Sequence, residues 1–299
     1  MADDLQIQID NDTSQISLLK NSYQNDFSQM NIIPVTEGEI QSIIYSLKAK
    51  DSSGYDGISA EILKMCNSLI SKPLSYICNK SIQTGVFLDH LKYSFIKPMY
   101  KNGDRSGISN YRPISLLLVF SKVLEKTMYC RLNQRLSINN ILATEQYGFR
   151  KDRSIEQAAY ILINGTLPAW NSKSQVVGIF CDLAKAFDCV NHDILIEKLK
   201  YYGVNETGID WIKSYLHNRK QKVNINVNNL QNYSSTWEIF KRGVLQGSVL
   251  GPLLFIICVS DLQRHINHFT NVVLFADDTN ILITEKIYEN PNQKIRLRL

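Results

Sequence analysis

Val272-Val-Leu-Phe-Ala-Asp-Asp-Thr-Asn-Ile-Leu-Ile-Thr284 reads as two apolar strands, Val272–Phe275 and Asn280–Thr284, flanking the adjacent acids Asp277 and Asp278. An Asp-rich β-turn is the plain reading of such a tip. The sharper reading starts from repulsion: neighbouring carboxylates are favourable mainly when divalent cations neutralise them. A third acid bears on the choice. The apolar run Val176–Cys181 ends at Asp182, whose side chain would emerge at a strand terminus. If the two strands are neighbours in one sheet, Asp182 and Asp277 converge. Two Mg²⁺ ions about 3.5–4 Å apart, bridged by carboxylates, are the usual apparatus for in-line phosphoryl transfer. Magnesium takes hard oxygens, keeps few protein ligands and accepts substrate phosphates, so no His or Cys ligand is needed. The reading depends on Asp182 lying beside the hairpin.

Working outward, residues 1–35 are polar and weakly periodic, a loosely ordered lead-in. Thr36 and Glu39 form a capping-box pattern ahead of Ile40, Ile43, Ile44 and Leu47 on one helical face. Asp51–Gly57 is turn chemistry. Helical patterns span Ser59–Met65 and Lys72–Thr84, the second stopped by Gly85. Ser94–Tyr100 is strand-like, followed by the basic loop Lys101–Arg105. A long helix is expected from Leu116 to about Leu136, with Phe120, Leu124 and Met128 on its stripe. Further helices are expected at Ile155–Ile163, His192–Tyr201 and Thr207–Leu216, with Asp188 as N-cap of the helix after Val190. Lys222–Asn228 and Ser234–Phe240 alternate around an Asn-rich turn. Gly243–Gly251 is a glycine-punctuated loop leading into an apolar helix that continues to His265. The second half thus runs β-α-α-β-β-α-β-β, an α+β order with one sheet and helices behind it.

Of the 299 residues, 44% are apolar and 20% charged, a globular composition. Residues 1–40 carry seven acids against Lys20 alone, a net of −6, so the overall +5 leaves +11 on the rest. A basic body suits a polyanionic partner, and equally a solvated basic surface. The six cysteines form no CxxC pair and sit mostly in apolar stretches, as buried free thiols in a reducing compartment would. No signal-peptide pattern is present at the acidic N-terminus. The longest apolar run, Val249–Val259, is too short to span a bilayer and contains Pro252. The expectation is an intracellular protein, nuclear or cytoplasmic, with no membrane role. The five histidines are scattered and none is expected to be catalytic; Tyr201, Tyr202 and Trp211 read as packing residues.

Five blocks then stand in order: Asn110-Tyr-Arg-Pro-Ile-Ser-Leu-Leu117, Gln146-Tyr-Gly-Phe-Arg150, Cys181-Asp-Leu-Ala-Lys-Ala-Phe-Asp188, Gly243-Val-Leu-Gln-Gly-Ser-Val-Leu-Gly-Pro252 and Phe275-Ala-Asp-Asp278. In order and spacing they resemble the motifs of reverse transcriptases of non-LTR (LINE-type) retrotransposons. Lys50–Gly57 is similar to a short segment upstream of such domains. The resemblance covers roughly residues 36–285.

The resemblance implies a right-hand polymerase of α+β class, with fingers over 36–175 and a palm with a ferredoxin-like sheet over 176–285. Where the family would continue into a helical thumb, this sequence has a truncated tail at 286–299, so the expectation is a chain cut off before its thumb. It implies an RNA-directed DNA polymerase that uses two Mg²⁺ ions, an RNA template, a DNA primer and dNTPs. Asp182 and Asp277 match the principal metal ligands and Asp278 the auxiliary acid. Phe187 matches the aromatic gate that excludes a ribose 2′-OH, or is a core phenylalanine. Lys101 and Arg112 match the basic residues that hold the incoming triphosphate, though Arg112 also reads as a surface arginine. Gln246 and Gly247 match the loop against the new base pair, and Gly148 and Arg150 the template side of the fingers. Two alternatives stay open: a catalytically inactive RNA-binding remnant of such an element, and another palm-fold nucleotidyl transferase such as a cyclase, which Gly243–Pro252 speaks against.

Overall fold

The structure, a computed structural model, describes residues 27–48, 53–227, 231–265 and 270–285. Most of the lead-in, residues 50–52 of the Lys50–Gly57 segment, His268 and the 286–299 tail lie outside the described residues.

The described residues form two compact units. One joins residues up to Leu142 with Lys185–Ser260; the other joins Ala143–Ala184 with residues from Asp261 onward.

In the first unit the sheet is built from β1 (Tyr93–Tyr100), β2 (Tyr111–Leu117), β4 (Arg219–Val227), β5 (Gln231–Ser234) and β6 (Glu238–Phe240). Its order is β2-β1-β4-β5, with β6 also paired to β4. β1 and β2 are antiparallel with Met99 opposite Arg112, whereas β1 and β4 run parallel, Tyr93 opposite Lys220. The helices are α1 (Glu37–Ser46), α2 (Ala60–Met65), α3 (Asn67–Thr84), α4 (Val119–Ile138), α6 (His192–Tyr201), α7 (Glu206–Leu216) and α8 (Gly251–Val259). They share one core in which Ile40, Ile44, Val123, Met128, Leu132, Trp211, Tyr202 and Ile256 are fully or almost fully buried. Trp211 stacks on Tyr215 at 5.8 Å between ring centroids and meets Phe87 edge-on at 5.2 Å. Tyr202 and Trp211 are therefore packing residues, as expected from sequence.

The second unit is small. α5 (Ile155–Asn171) lies against the antiparallel sheet β3-β8-β7, formed by β3 (Gln175–Asp182), β7 (Thr270–Phe275) and β8 (Asp278–Glu285). Its buried cluster is Tyr147, Ala158 and Val273, with Leu162 and Phe275 packed on it. α5 starts with a complete capping box, Ser154 accepting from the Gln157 backbone and Gln157 returning the bond.

Several boundaries differ from the sequence reading. The single expected sheet is two sheets: the strands after α7 join β1 and β2, while β3, among the described residues, pairs with the acid-bearing hairpin. Alternation marks a strand but says nothing about its partner. Leu116 and Leu117 end β2, so α4 starts at Val119. α3 begins at Asn67 and carries Pro73 within its first turns, and α5 runs to Asn171 through Pro168. The N-cap of α6 is Asn191, whose side chain accepts from the Asp193 and Ile194 amides; Asp188 does not cap it. Thr36 does cap α1, but Glu39 pairs with Arg131, whose guanidinium nitrogens donate at 2.6 and 2.8 Å. Only Cys78 of the six thiols is fully buried, while Cys181 and Cys189 are exposed.

Candidate active site

The small unit holds the acids. β3 and β8 pair antiparallel with Asp182 directly opposite Asp278, the last pair of the ladder. Directly opposed residues in an antiparallel pair project to the same face with Cα atoms roughly 4.5–5.5 Å apart. Both carboxylates are exposed, and Asp277 occupies the tight turn next to them, half-buried. Like charges facing across strands destabilise a sheet unless something offsets them. Among the described residues, no group of three or more His, Cys, Asp or Glu side chains is gathered for a metal ion. The structure therefore supplies a facing pair with a third acid adjacent, rather than an assembled three-carboxylate cage. Such a pair of hard oxygen donors fits magnesium, which commonly takes one or two carboxylates and leaves other positions to water and phosphate.

The turn itself is two residues long, since Phe275 pairs with Asp278. Ala276 sits at φ +56°, in the left-handed region where glycine is favoured. What holds it there comes from the segment before α5. Gln146, 1% exposed, points its carboxamide at the turn. Its Oε1 accepts from the Ala276 amide at 2.9 Å and the Gly148 amide at 2.8 Å, and its Nε2 donates to the Ala276 carbonyl at 3.3 Å. The flanking backbone runs parallel to β7, with the Tyr147 amide donating to Leu274 and the Leu274 amide to Glu145. Gly148 is a glycine because a Cβ there would stand 2.2 Å from the Ala276 nitrogen. Arg150 donates to the Ala143 carbonyl at 2.6 Å, and burial holds its guanidinium below the usual range. The structure thus gives Gly148 and Arg150 packing and hydrogen-bonding partners within their own unit.

The remaining sequence candidates lie in the larger unit. Lys101 follows β1 and is exposed, its amide donating to the Asn110 carbonyl at 2.8 Å. Arg112 is exposed on β2. Three residues further along β2, the Ser115 amide donates to the Gln246 carbonyl at 2.8 Å, so the Gly243–Leu250 loop is fastened to that strand. Gly247, at φ +108°, could carry no side chain, since a Cβ would meet the Ser115 oxygen at 2.7 Å. Phe187 stacks on Phe255 with ring centroids 5.1 Å apart and packs against the main core.

Glu125 is a residue that sequence reasoning missed. Fully buried on α4, it accepts from the Val249 and Leu250 amides at 2.7 and 3.2 Å and from the Ser121 hydroxyl at 2.9 Å. It anchors the end of the Gln246 loop where α8 begins. A lone acid among the apolar positions Val123, Leu124 and Met128 was the available signal.

Residues 99–294 match the family described as reverse transcriptase (RNA-dependent DNA polymerase). The chain belongs to the reverse transcriptase family. Within it, the relatives are of the non-LTR, LINE type. The chain is 34% identical over 238 residues to a probable RNA-directed DNA polymerase from transposon BS of Drosophila melanogaster, covering 77% of this chain and 25% of that protein. It is 28% identical over 259 residues to the RNA-directed DNA polymerase from mobile element jockey of the same fly, covering 84% and 28%. A solved structure of apo telomerase from Candida tropicalis, truncated from its C-terminal domain, overlaps 66% of this chain and 45% of that one, at 14% identity and a TM-score of 0.45. The chain spans only about a quarter of the length of the curated relatives it matches. No helix among the described residues is long and apolar enough to cross a membrane.

Proposed function

We propose that this chain performs templated transfer of a deoxynucleotide from a dNTP to a primer 3′-OH, with RNA as template, and that Asp182, Asp277 and Asp278 hold two Mg²⁺ ions. The observation that carries the reading is the register of β3 on β8, which sets Asp182 face to face with Asp278 beside the Asp277 turn. When bound, the metal would lower the pKa of the primer hydroxyl and offset the charge of the triphosphate. The residues of the chain do the rest. Arg112 and Lys101 bind triphosphate oxygens, the Arg112 guanidinium as a planar fork. Phe187 presents a flat ring under the sugar, which disfavours a 2′-OH. The Gln246–Gly247 backbone, fastened to β2, lies against the nascent base pair. Gly148 and Arg150 face the template side. In this reading residues 36–175 serve as fingers and 176–285 as palm, with β3, β7 and β8 in a ferredoxin-like palm sheet. The +11 carried by residues 41–299 supplies counter-charge for the nucleic acid.

The test is primer extension on an RNA template with Mg²⁺, comparing the chain with Asp277→Asn. The expected outcome is loss of incorporation by at least 100-fold with RNA binding retained. RNA binding without incorporation in either protein would replace the polymerase by an RNA-binding remnant. Template-free conversion of GTP to a cyclic product would replace it by a cyclase.

A further inference from the structure

The turn that presents Asp277 is not self-sufficient. With Ala276 at φ +56° in a two-residue loop, the residue occupies a conformation that costs on the order of 1 kcal/mol for a non-glycine residue. A short hairpin under that strain would relax unless its surroundings held it. The restraint comes from one side chain 130 positions away in the chain. Gln146 brackets Ala276 from both ends, taking its N–H at 2.9 Å and giving a bond to its carbonyl at 3.3 Å. Those two groups belong to the peptide planes before and after Ala276. Fixing both fixes the rotation about its Cα, and with it the plane from which the Asp277 backbone departs.

Gln146 has little freedom to do otherwise. It is 1% exposed. The backbone on either side is tied to Leu274 by the Tyr147 amide at 2.8 Å and by the Glu145 carbonyl at 2.9 Å. The Gly148 amide at 2.8 Å fixes the second lone pair of its Oε1. An amide suits the task, because it offers on one rigid plane an oxygen that can accept twice and an adjacent donor, at any ordinary pH. A buried glutamine serving only to satisfy itself would need no convergence of its bonds on the residue preceding an acid.

We propose that Gln146 is a positioning residue for Asp277: by clamping Ala276 it sets the direction of the Asp277 carboxylate, and thereby the affinity of the acid cluster for divalent cations. The inference rests on the reading of Asp182, Asp277 and Asp278 as metal-holding. It gives Gln146, to which the sequence assigned no role, the task of mounting the acidic hairpin, beside the template-side role proposed for Gly148 and Arg150.

The probe is Mn²⁺, whose free and bound forms differ in their electron paramagnetic resonance signal, titrated into the full chain. Gln146→Met keeps side-chain length and removes all three bonds; Gln146→Asn is the milder variant should Met fail to fold. Ala158→Gly loosens the same unit, within its buried cluster, without touching the turn. Asp277→Asn removes a proposed ligand. The expected result is about tenfold weaker Mn²⁺ binding in the Gln146 variant with an unchanged far-ultraviolet spectrum, and native affinity in Ala158→Gly. A folded Gln146 variant that binds within twofold of wild type overturns the proposal. So does an equal loss in Ala158→Gly, which would mark general loosening. Failure of the underlying metal reading looks different: wild type and Asp277→Asn would then bind Mn²⁺ equally.

Discussion

Glu125 carries a carboxylate into a position with no exposed surface, and three donors meet it there. Glu125→Ala would strand the Val249 and Leu250 amides and the Ser121 hydroxyl. The expected cost is about 2–4 kcal/mol by urea denaturation, given that each buried unsatisfied group costs about 1–3 kcal/mol. Cys78 shows the opposite chemistry. Burial pushes its thiol from 9.0 up to about 11, while a bond with Thr127 pulls slightly down. The unfolded chain releases this proton first, so the Cys78 contribution to stability is intact below pH 9 and declines as pH rises toward 11. At two pH units of displacement that contribution is about 3 kcal/mol. Denaturation series at pH 8 and 10.5 on wild type and Cys78→Ala would show it, as a steeper decline in the wild type.

At the scale of elements, the hairpin between β7 and β8 joins a local rule to a distant contact. Ala276→Gly would relieve the left-handed backbone and is expected to raise stability by about 0.5–1 kcal/mol, read from the shift in thermal midpoint. The same hairpin shows what a sequence can and cannot disclose. Its two strands and the acids between them were legible, because apolar runs bounded by polar turn residues mark strands and adjacent acids are costly without a purpose. The strand ending in Asp182 was legible for the same reason. Gln146 was not, since a side chain that bonds a backbone 130 residues away leaves no periodic trace. The division into two sheets was equally hidden: β4 and β6 alternate like strands, but the pairing of β4 with β1, and of β6 with β4, depends on tertiary packing rather than on local pattern. Asn191 took the cap that Asp188 was expected to hold because either residue type can cap, and only the backbone path chooses.

For the whole molecule, the distribution of apolar mass matters more than its total. The larger unit closes around a core drawn from seven helices, whereas the described residues of the acid-bearing unit bury a smaller set that includes the cluster of Tyr147, Ala158 and Val273 together with Val272, Leu274 and Leu282. Local opening is easiest where few apolar contacts resist it. Gradual warming should therefore blunt cation capture well before the helical circular-dichroism signal of the chain collapses, giving two separated transitions when both are followed in one sample. A smaller interior beneath the acids would make that patch the thermal fuse of the protein, the first part to give way while the rest still stands.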